Sequence, residues 1–148
     1  MPGSATPRYD DVEVGTELPG QTFPVHRVNR VMYAGASGDF NPIHWNERFA
    51  TAVGLPDVIA HGMFTMAEAA RVLTDWVGDP GAIEEYGVRF SRPVVVPDDD
   101  RGATIEVTGT VAEKLDGDAP SGRVKVNLRA TCGGDTVLGK AVAVVRLR

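Results

Sequence analysis

Nine consecutive residues, Ser37-Gly38-Asp39-Phe40-Asn41-Pro42-Ile43-His44-Trp45, bring a carboxylate, an amide and an imidazole into one short stretch. A carboxylate beside an imidazole suits general acid–base chemistry near neutral pH, where the histidine proton is the one in play. Asp39 and His44 stand five positions apart, which is not a same-face spacing on a regular helix. Pro42 biases Asn41 to an extended backbone and ends any helix before it. The two groups can therefore converge only in a tight loop, held by Pro42 and by the apolar Phe40 and Ile43. Asn41 could orient either partner through its amide. Taken singly, each residue has a plainer use: Asp39 in a turn or cap, Asn41-Pro42 as a turn, His44 as polar surface or a satisfied interior group.

A second cluster, Ala60-His61-Gly62-Met63, falls where a long helix should begin. The first N–H groups of a helix lack intrahelical acceptors and carry partial positive charge. Gly62, with no side chain, lets a substrate oxygen approach those donors, as an oxyanion site requires. The plainer reading makes Gly62 a packing residue. For His61 the structural role, an N-terminal cap, is preferred. The remaining candidates are weaker. His26 lies in an alternating segment with Phe23, Val25 and Arg27 and is expected at the surface. Cys132, the single cysteine, has no basic neighbour and is expected to be a buried strand residue. Neither G-x-S-x-G, G-x-G-x-x-G nor a Walker loop occurs, so no nucleotide cofactor is implied. Three histidines without H-x-H or H-x-x-x-H spacing give no case for a metal.

These groups need a scaffold, and the chain supplies one. Its 148 residues, 43% hydrophobic and 24% charged, suit a single globular domain with its own core. We expect a loose tail over residues 1–8 and one domain over 9–148. The apolar positions Ala60, Phe64, Ala67, Val72 and Trp76 approximate a helical stripe over Met63–Val77, closed by Gly78-Asp79-Pro80-Gly81. Its small residues predict a mostly buried helix lying close to a sheet. Tyr86–Pro93 is short and β-prone, and Pro93 and Pro97 bracket an apolar Val94–Val96. Beyond the turn at 98–102, Ile105, Val107 and Thr108–Val111 alternate with polar residues. After a second turn at 117–122, Val124, Val126, Leu128 and Ala130 alternate with Lys125, Asn127 and Arg129. Gly133-Gly134-Asp135 is hairpin chemistry, and Val137–Leu147 returns as the last strand. Strands joined by short turns make an antiparallel meander, so the fold class is α+β, one helix layered on one antiparallel sheet.

The net charge of −5 argues against a nucleic-acid binder. The first residues lack the basic and apolar regions of a secretory signal. No apolar run approaches the roughly 20 residues of a membrane span. A lone cysteine fits a reducing, cytoplasmic setting.

The run Tyr33-Ala34-Gly35-Ala36-Ser37-Gly38-Asp39-Phe40-Asn41-Pro42-Ile43-His44, followed by Ala60-His61-Gly62-Met63, resembles the hydratase-2 motif of the MaoC-like hot-dog family. Its members are (R)-specific enoyl-thioester hydratases and (3R)-hydroxyacyl-thioester dehydratases. Through Trp76–Ala82 and Tyr86–Phe90 the chain also resembles the catalytic β subunits of actinobacterial type II fatty-acid-synthase (3R)-hydroxyacyl-ACP dehydratases. The resemblance implies a hot dog, an antiparallel sheet wrapped around a long central helix, and no cofactor. It implies a catalytic pair at Asp39 and His44, an orienting amide at Asn41 and an oxyanion N–H at Gly62, leaving open which of the pair is the base. Some homodimeric relatives carry a serine on the central helix where Ala70 stands here. A single copy implies a dimer, either with a sister hot-dog subunit or, as the alternative, with a second copy. The substrate would be an acyl thioester of acyl carrier protein or of CoA, with Arg71, Arg89 and Arg92 as candidates to steer an acidic carrier. The competing functions are a stand-alone (R)-enoyl-CoA hydratase and a non-catalytic acyl-binding or scaffolding subunit.

Overall fold

Strand β1 (Glu17–Val25) is followed by helices α1 (Arg27–Ser37), α2 (Glu47–Ala52) and α3 (Gly62–Val77), and then by strands β2 (Ile83–Phe90), β3 (Ala103–Asp116), β4 (Gly122–Cys132) and β5 (Asp135–Leu147). They come from a computed structural model that describes residues 6–116 and 121–148. Part of the expected tail and most of the turn expected at 117–122 lie outside the described residues. The strands form one antiparallel sheet in the order β1-β3-β4-β5-β2. Its centre is the expected meander. On β4, Val124, Val126, Leu128 and Ala130 are buried while Asn127 and Arg129 are exposed, so the period-2 pattern maps onto one dry face. Gly133 and Gly134 take positive φ values of 57° and 85° in the β4–β5 hairpin, as a tight turn of that hand demands.

Strand β1 was not expected as a strand of its own. Pro19, Gly20 and Pro24 interrupt its alternation, and the pairing with β3 shifts register between Leu18 and Gln21. Prolines are tolerated there because β1 is an edge strand, with one side free of partners in the sheet.

Helix α3 packs across the sheet, with Thr65, Ala69, Val72, Leu73 and Val77 buried. This corrects the expected stripe. Val72 belongs to it, Phe64 and Trp76 lie half-buried on its shoulders, and Ala67 is exposed. Alanine is compatible with either face, so it misplaced the stripe. The helix is buried on one face rather than mostly buried, and Met63 is 57% exposed. Ala69, fully buried, lets the helix backbone approach the strands. Gly78 ends it in the left-handed region (φ 71°), its N–H bonded to the Thr74 carbonyl at 2.9 Å. Among the described residues no helix is long and apolar enough to cross a membrane.

Two ties fix the segment before α3. Val58, Ile59 and Ala60 run antiparallel to Val94–Val96, through Ala60 N–H to Val94 O at 2.8 Å and Val96 N–H to Val58 O at 3.0 Å. Arg27, at the start of α1, bonds both Asp57 oxygens at 3.0 and 3.1 Å, the Val96 carbonyl at 3.2 Å, and Glu47. At the end of β1, Gly102 (φ 65°) comes so near that a Cβ would lie 2.3 Å from the Val25 carbonyl oxygen. Gly102→Ala should therefore destabilise the fold by about 3 kcal/mol, from left-handed strain and overpacking together, as read from urea unfolding.

Candidate active site

The loop that carries Asp39 and His44 is built from local hydrogen bonds that its own sequence encodes. Gly38 ends α1 in the left-handed region, φ 75°, with its N–H on the Ala34 carbonyl. Asp39 Oδ1 then accepts the Asn41 N–H at 3.1 Å, and Asn41 Oδ1 accepts the Ile43 N–H at 3.2 Å. These successive Asx turns wind Pro42–His44 into one 3₁₀ turn. Asn41 thus uses its amide oxygen to cap the turn. Its main-chain N–H, rather than that amide, holds the Asp39 carboxylate. Phe40 was expected to anchor the loop from within, yet it is 62% exposed. Trp45, itself 54% exposed, ties the loop across its surface, its indole Nε1–H donating to the Phe40 carbonyl at 2.9 Å.

The turn brings Asp39 and His44 together. His44 Nε2 lies 3.8 Å from Asp39 Oδ2, with the imidazole buried and the carboxylate half exposed. Three contacts fix the histidine. Its Nδ1 is 2.8 Å from the Ile59 carbonyl, its own carbonyl accepts from Arg30 Nη1, and its ring stacks on that of His61 with centroids 3.8 Å apart. A carbonyl only accepts, so Nδ1 carries the hydrogen and Nε2 keeps a lone pair directed toward Asp39. Burial pushes the His44 pKa below its ordinary value. The Ile59 bond and Asp39 oppose that shift, while His61 and Arg30 add to it. His44 is therefore held as a neutral base. A separation of 3.8 Å exceeds a direct hydrogen bond and leaves room for a bridging oxygen atom.

His61 does occupy the N-cap position of α3, but its side chain makes no capping bond. That corrects the role expected for it. Gly62 is the first residue of the helix, so its N–H has no intrahelical acceptor. It shares a cavity of about 290 Å³ with His44 and Thr65, walled by the apolar Ile59, Val94 and Leu138. Asp39 and Asn41 stand outside that wall. Ala70 does not line it. Phe90 closes over Gly62, where an added Cβ would meet the ring at 3.0 Å. Gly62→Ala should press the exposed Phe90 ring outward and obstruct the approach to the N–H. The expected result is a turnover loss of about tenfold with little change in melting temperature, from steady-state kinetics beside a thermal melt.

Other expected residues fall elsewhere. Arg71 pairs with Glu68 at 3.0 Å and covers the Phe23 ring, whereas Arg92 lines the cavity and approaches Asp135 at 3.8 Å. His26 is half-buried before α1, its N–H bonded to Asn29 Oδ1 at 2.7 Å. Cys132 is half-buried at the end of β4, and burial raises its thiol pKa, which suits no nucleophile. Asp39, His44 and His61 each place a ligand-type atom within 4.8 Å of the others. His44 Nδ1 and His61 Nε2 are already engaged by main-chain carbonyls and His61 Nδ1 is buried, so this cluster fits proton handling better than a cation.

The chain is similar to known proteins. The chain is 38% identical over 112 residues to an "(R)-specific enoyl-CoA hydratase" of Rhodospirillum rubrum, covering 75% of this chain and 69% of that one. It is 50% identical over 66 residues to "3-hydroxyacyl-thioester dehydratase X" of Mycobacterium tuberculosis, covering 44% of this chain and 22% of that one. A solved "MaoC-like dehydratase" superposes with a TM-score of 0.87 at 44% identity, over 99% of this chain and 44% of the other. The chain thus spans less than half the length of the last two. Its fold is the hot dog of that structure. The MaoC-like domain matches residues 11–130, from before β1 to within β4, and so takes in the whole Asp39–His44 loop and all of α3. On that match, the chain belongs to the MaoC-like domain family.

Proposed function

We propose that the chain is a hydro-lyase interconverting (3R)-hydroxyacyl and trans-2-enoyl thioesters. The observation that carries this reading is His44, whose Nε2 lies 3.8 Å from Asp39 Oδ2 and which lines a cavity shared with Gly62 at a helix N-terminus. In hydration, a water seated between Nε2 and Oδ2 attacks C3 and passes one proton to Nε2. Negative charge moves to the thioester oxygen, where the Gly62 N–H receives it. The imidazolium, steadied by the Asp39 carboxylate, delivers its proton to C2. Dehydration runs the same steps backward, with His44 removing the C2 proton and returning it to the departing hydroxyl. The relatives' names, hydratase and dehydratase, describe the two directions of one reaction.

Within that reading the chain acts as the catalytic subunit of a cytoplasmic type II (3R)-hydroxyacyl-ACP dehydratase, beside a sister hot-dog chain. Val28, Val31 and Met32 leave an apolar face of α1 exposed, and Phe40 and Met63 are exposed near the site. A second hot dog would cover such a face. The alternative is a stand-alone (R)-specific enoyl-CoA hydratase, favoured by the likeness to the Rhodospirillum protein over most of both chains. Purified alone and given a short trans-2-enoyl-CoA, the chain should remove the conjugated absorbance slowly or not at all, and rapidly once a sister chain is added. Rapid turnover alone would favour the stand-alone enzyme. Failure with either carrier and every partner would return the chain to acyl binding or scaffolding.

A further inference from the structure

His61 is 2% exposed, makes no cap, and has no part in the steps above. Its surroundings are unusual for a residue that only fills space. One ring face lies against His44, centroids 3.8 Å apart and planes inclined by 22°. Tyr33 of α1 meets the ring at 4.8 Å in a tilted arrangement. Its Nε2 lies 3.1 Å from the main-chain carbonyl of Asp39. The carbonyl can only accept, so Nε2 carries the hydrogen, and Nδ1, buried without a hydrogen-bond partner, is left with a lone pair. Leaving a buried polar atom unpaired costs stability, and nothing in the helix start requires a histidine.

We propose that His61 is a positioning residue that sets both members of the acid–base pair at once. Its ring is the plate on which the His44 imidazole is seated, and its Nε2–H holds the backbone of Asp39. The two groups come from one loop whose internal hydrogen bonds fix its backbone, and a reference outside the loop fixes their side chains relative to Gly62. His61, anchored at the start of the helix that also presents Gly62, ties that spacing to the third element of the site. Errors of about 1 Å in such an arrangement can cost ~100-fold in rate.

This inference rests on the hydro-lyase reading for its kinetic arm but not for its spectroscopic one. His61→Phe keeps the plate and removes the bond to Asp39, whereas His61→Gln keeps an N–H donor and removes the plate. Each should lower kcat about 10- to 100-fold with KM little changed. The groups facing His44 are Asp39 from its own loop, Arg30 from α1 and His61. Removing His61 leaves Asp39, Arg30 and the burial of His44 in place but takes away one influence that holds its pKa down. The acid limb of the pH–rate profile should therefore move to higher pH in His61→Phe. A residue that only packs would lower the melting temperature and leave that limb where it was. Folded variants with wild-type kcat and an unmoved limb would overturn the proposal.

Should either variant fail to fold, nitrogen-15 NMR of the imidazoles in the unaltered protein decides the matter. His61 should be the Nε2–H tautomer and His44 the Nδ1–H tautomer. Finding His61 protonated at Nδ1 would remove its hold on Asp39 and sink the proposal. Lack of hydration activity even with a sister chain present, together with the expected tautomers, would instead count against the hydro-lyase reading alone.

Discussion

Asp39→Asn is expected to lower enoyl-thioester hydration by about 1,000-fold while leaving the fold intact. The reason lies in what the side chain touches. Asp39 is half exposed, and one of its oxygens accepts the Asn41 N–H at 3.1 Å. An asparagine oxygen can accept the same bond, so the Asx turn and the 3₁₀ turn after it survive. What disappears is the negative charge 3.8 Å from His44 Nε2, which would steady the imidazolium as it forms. Steady-state kinetics beside a thermal melt reads both effects. An active variant would remove Asp39 from the mechanism, and a collapsed melt would reassign it to the turn.

His44 should show a comparable loss, and here two substitutions separate chemistry from structure. His44→Asn can keep an N–H donor for the Ile59 carbonyl but has no basic atom in place of Nε2. Turnover should fall by about 1,000-fold or more with modest loss of stability. His44→Ala removes the donor as well and leaves a half-buried carbonyl unpaired, adding about 1 kcal/mol of destabilisation in urea unfolding. Equal stability in the two variants would mean that the Ile59 bond contributes little. The pH dependence has a definite sign. Burial lowers the His44 pKa from 6.5, so the unfolded chain binds its proton at higher pH than the folded one. The contribution of His44 to stability is therefore whole above pH 6.5 and is lost as pH falls below it toward the folded value. His44→Asn should flatten that acid-side decline in stability, as read by melts across the range.

The loop was legible because its structure is local. Asp39, Asn41 and Pro42 act on N–H groups two residues away or on their own backbone, so residue type and spacing sufficed to bring Asp39 to His44. The same holds for the β4–β5 hairpin, where Gly133-Gly134 supplies the required backbone. Edge strand β1 was not legible, because Pro19, Gly20 and Pro24 erase the alternation that marks a strand. The buried stripe of α3 was misplaced because alanines fit either face.

By itself the sequence determined the antiparallel meander, the long helix, the tight Asp39–His44 loop and, through the motif, the family. Each depends on periodicity or on turn chemistry within a few residues. Only the tertiary structure decided the state of the site. The Ile59 carbonyl that orients His44 and the His61 ring beneath it come from the segment leading into α3, and the Arg30 donor behind it comes from α1. The cavity wall adds residues from after β2 and from β5. Tautomer, burial and pKa arise from contacts between residues far apart in the chain. Neither local spacing nor composition records which distant groups will meet.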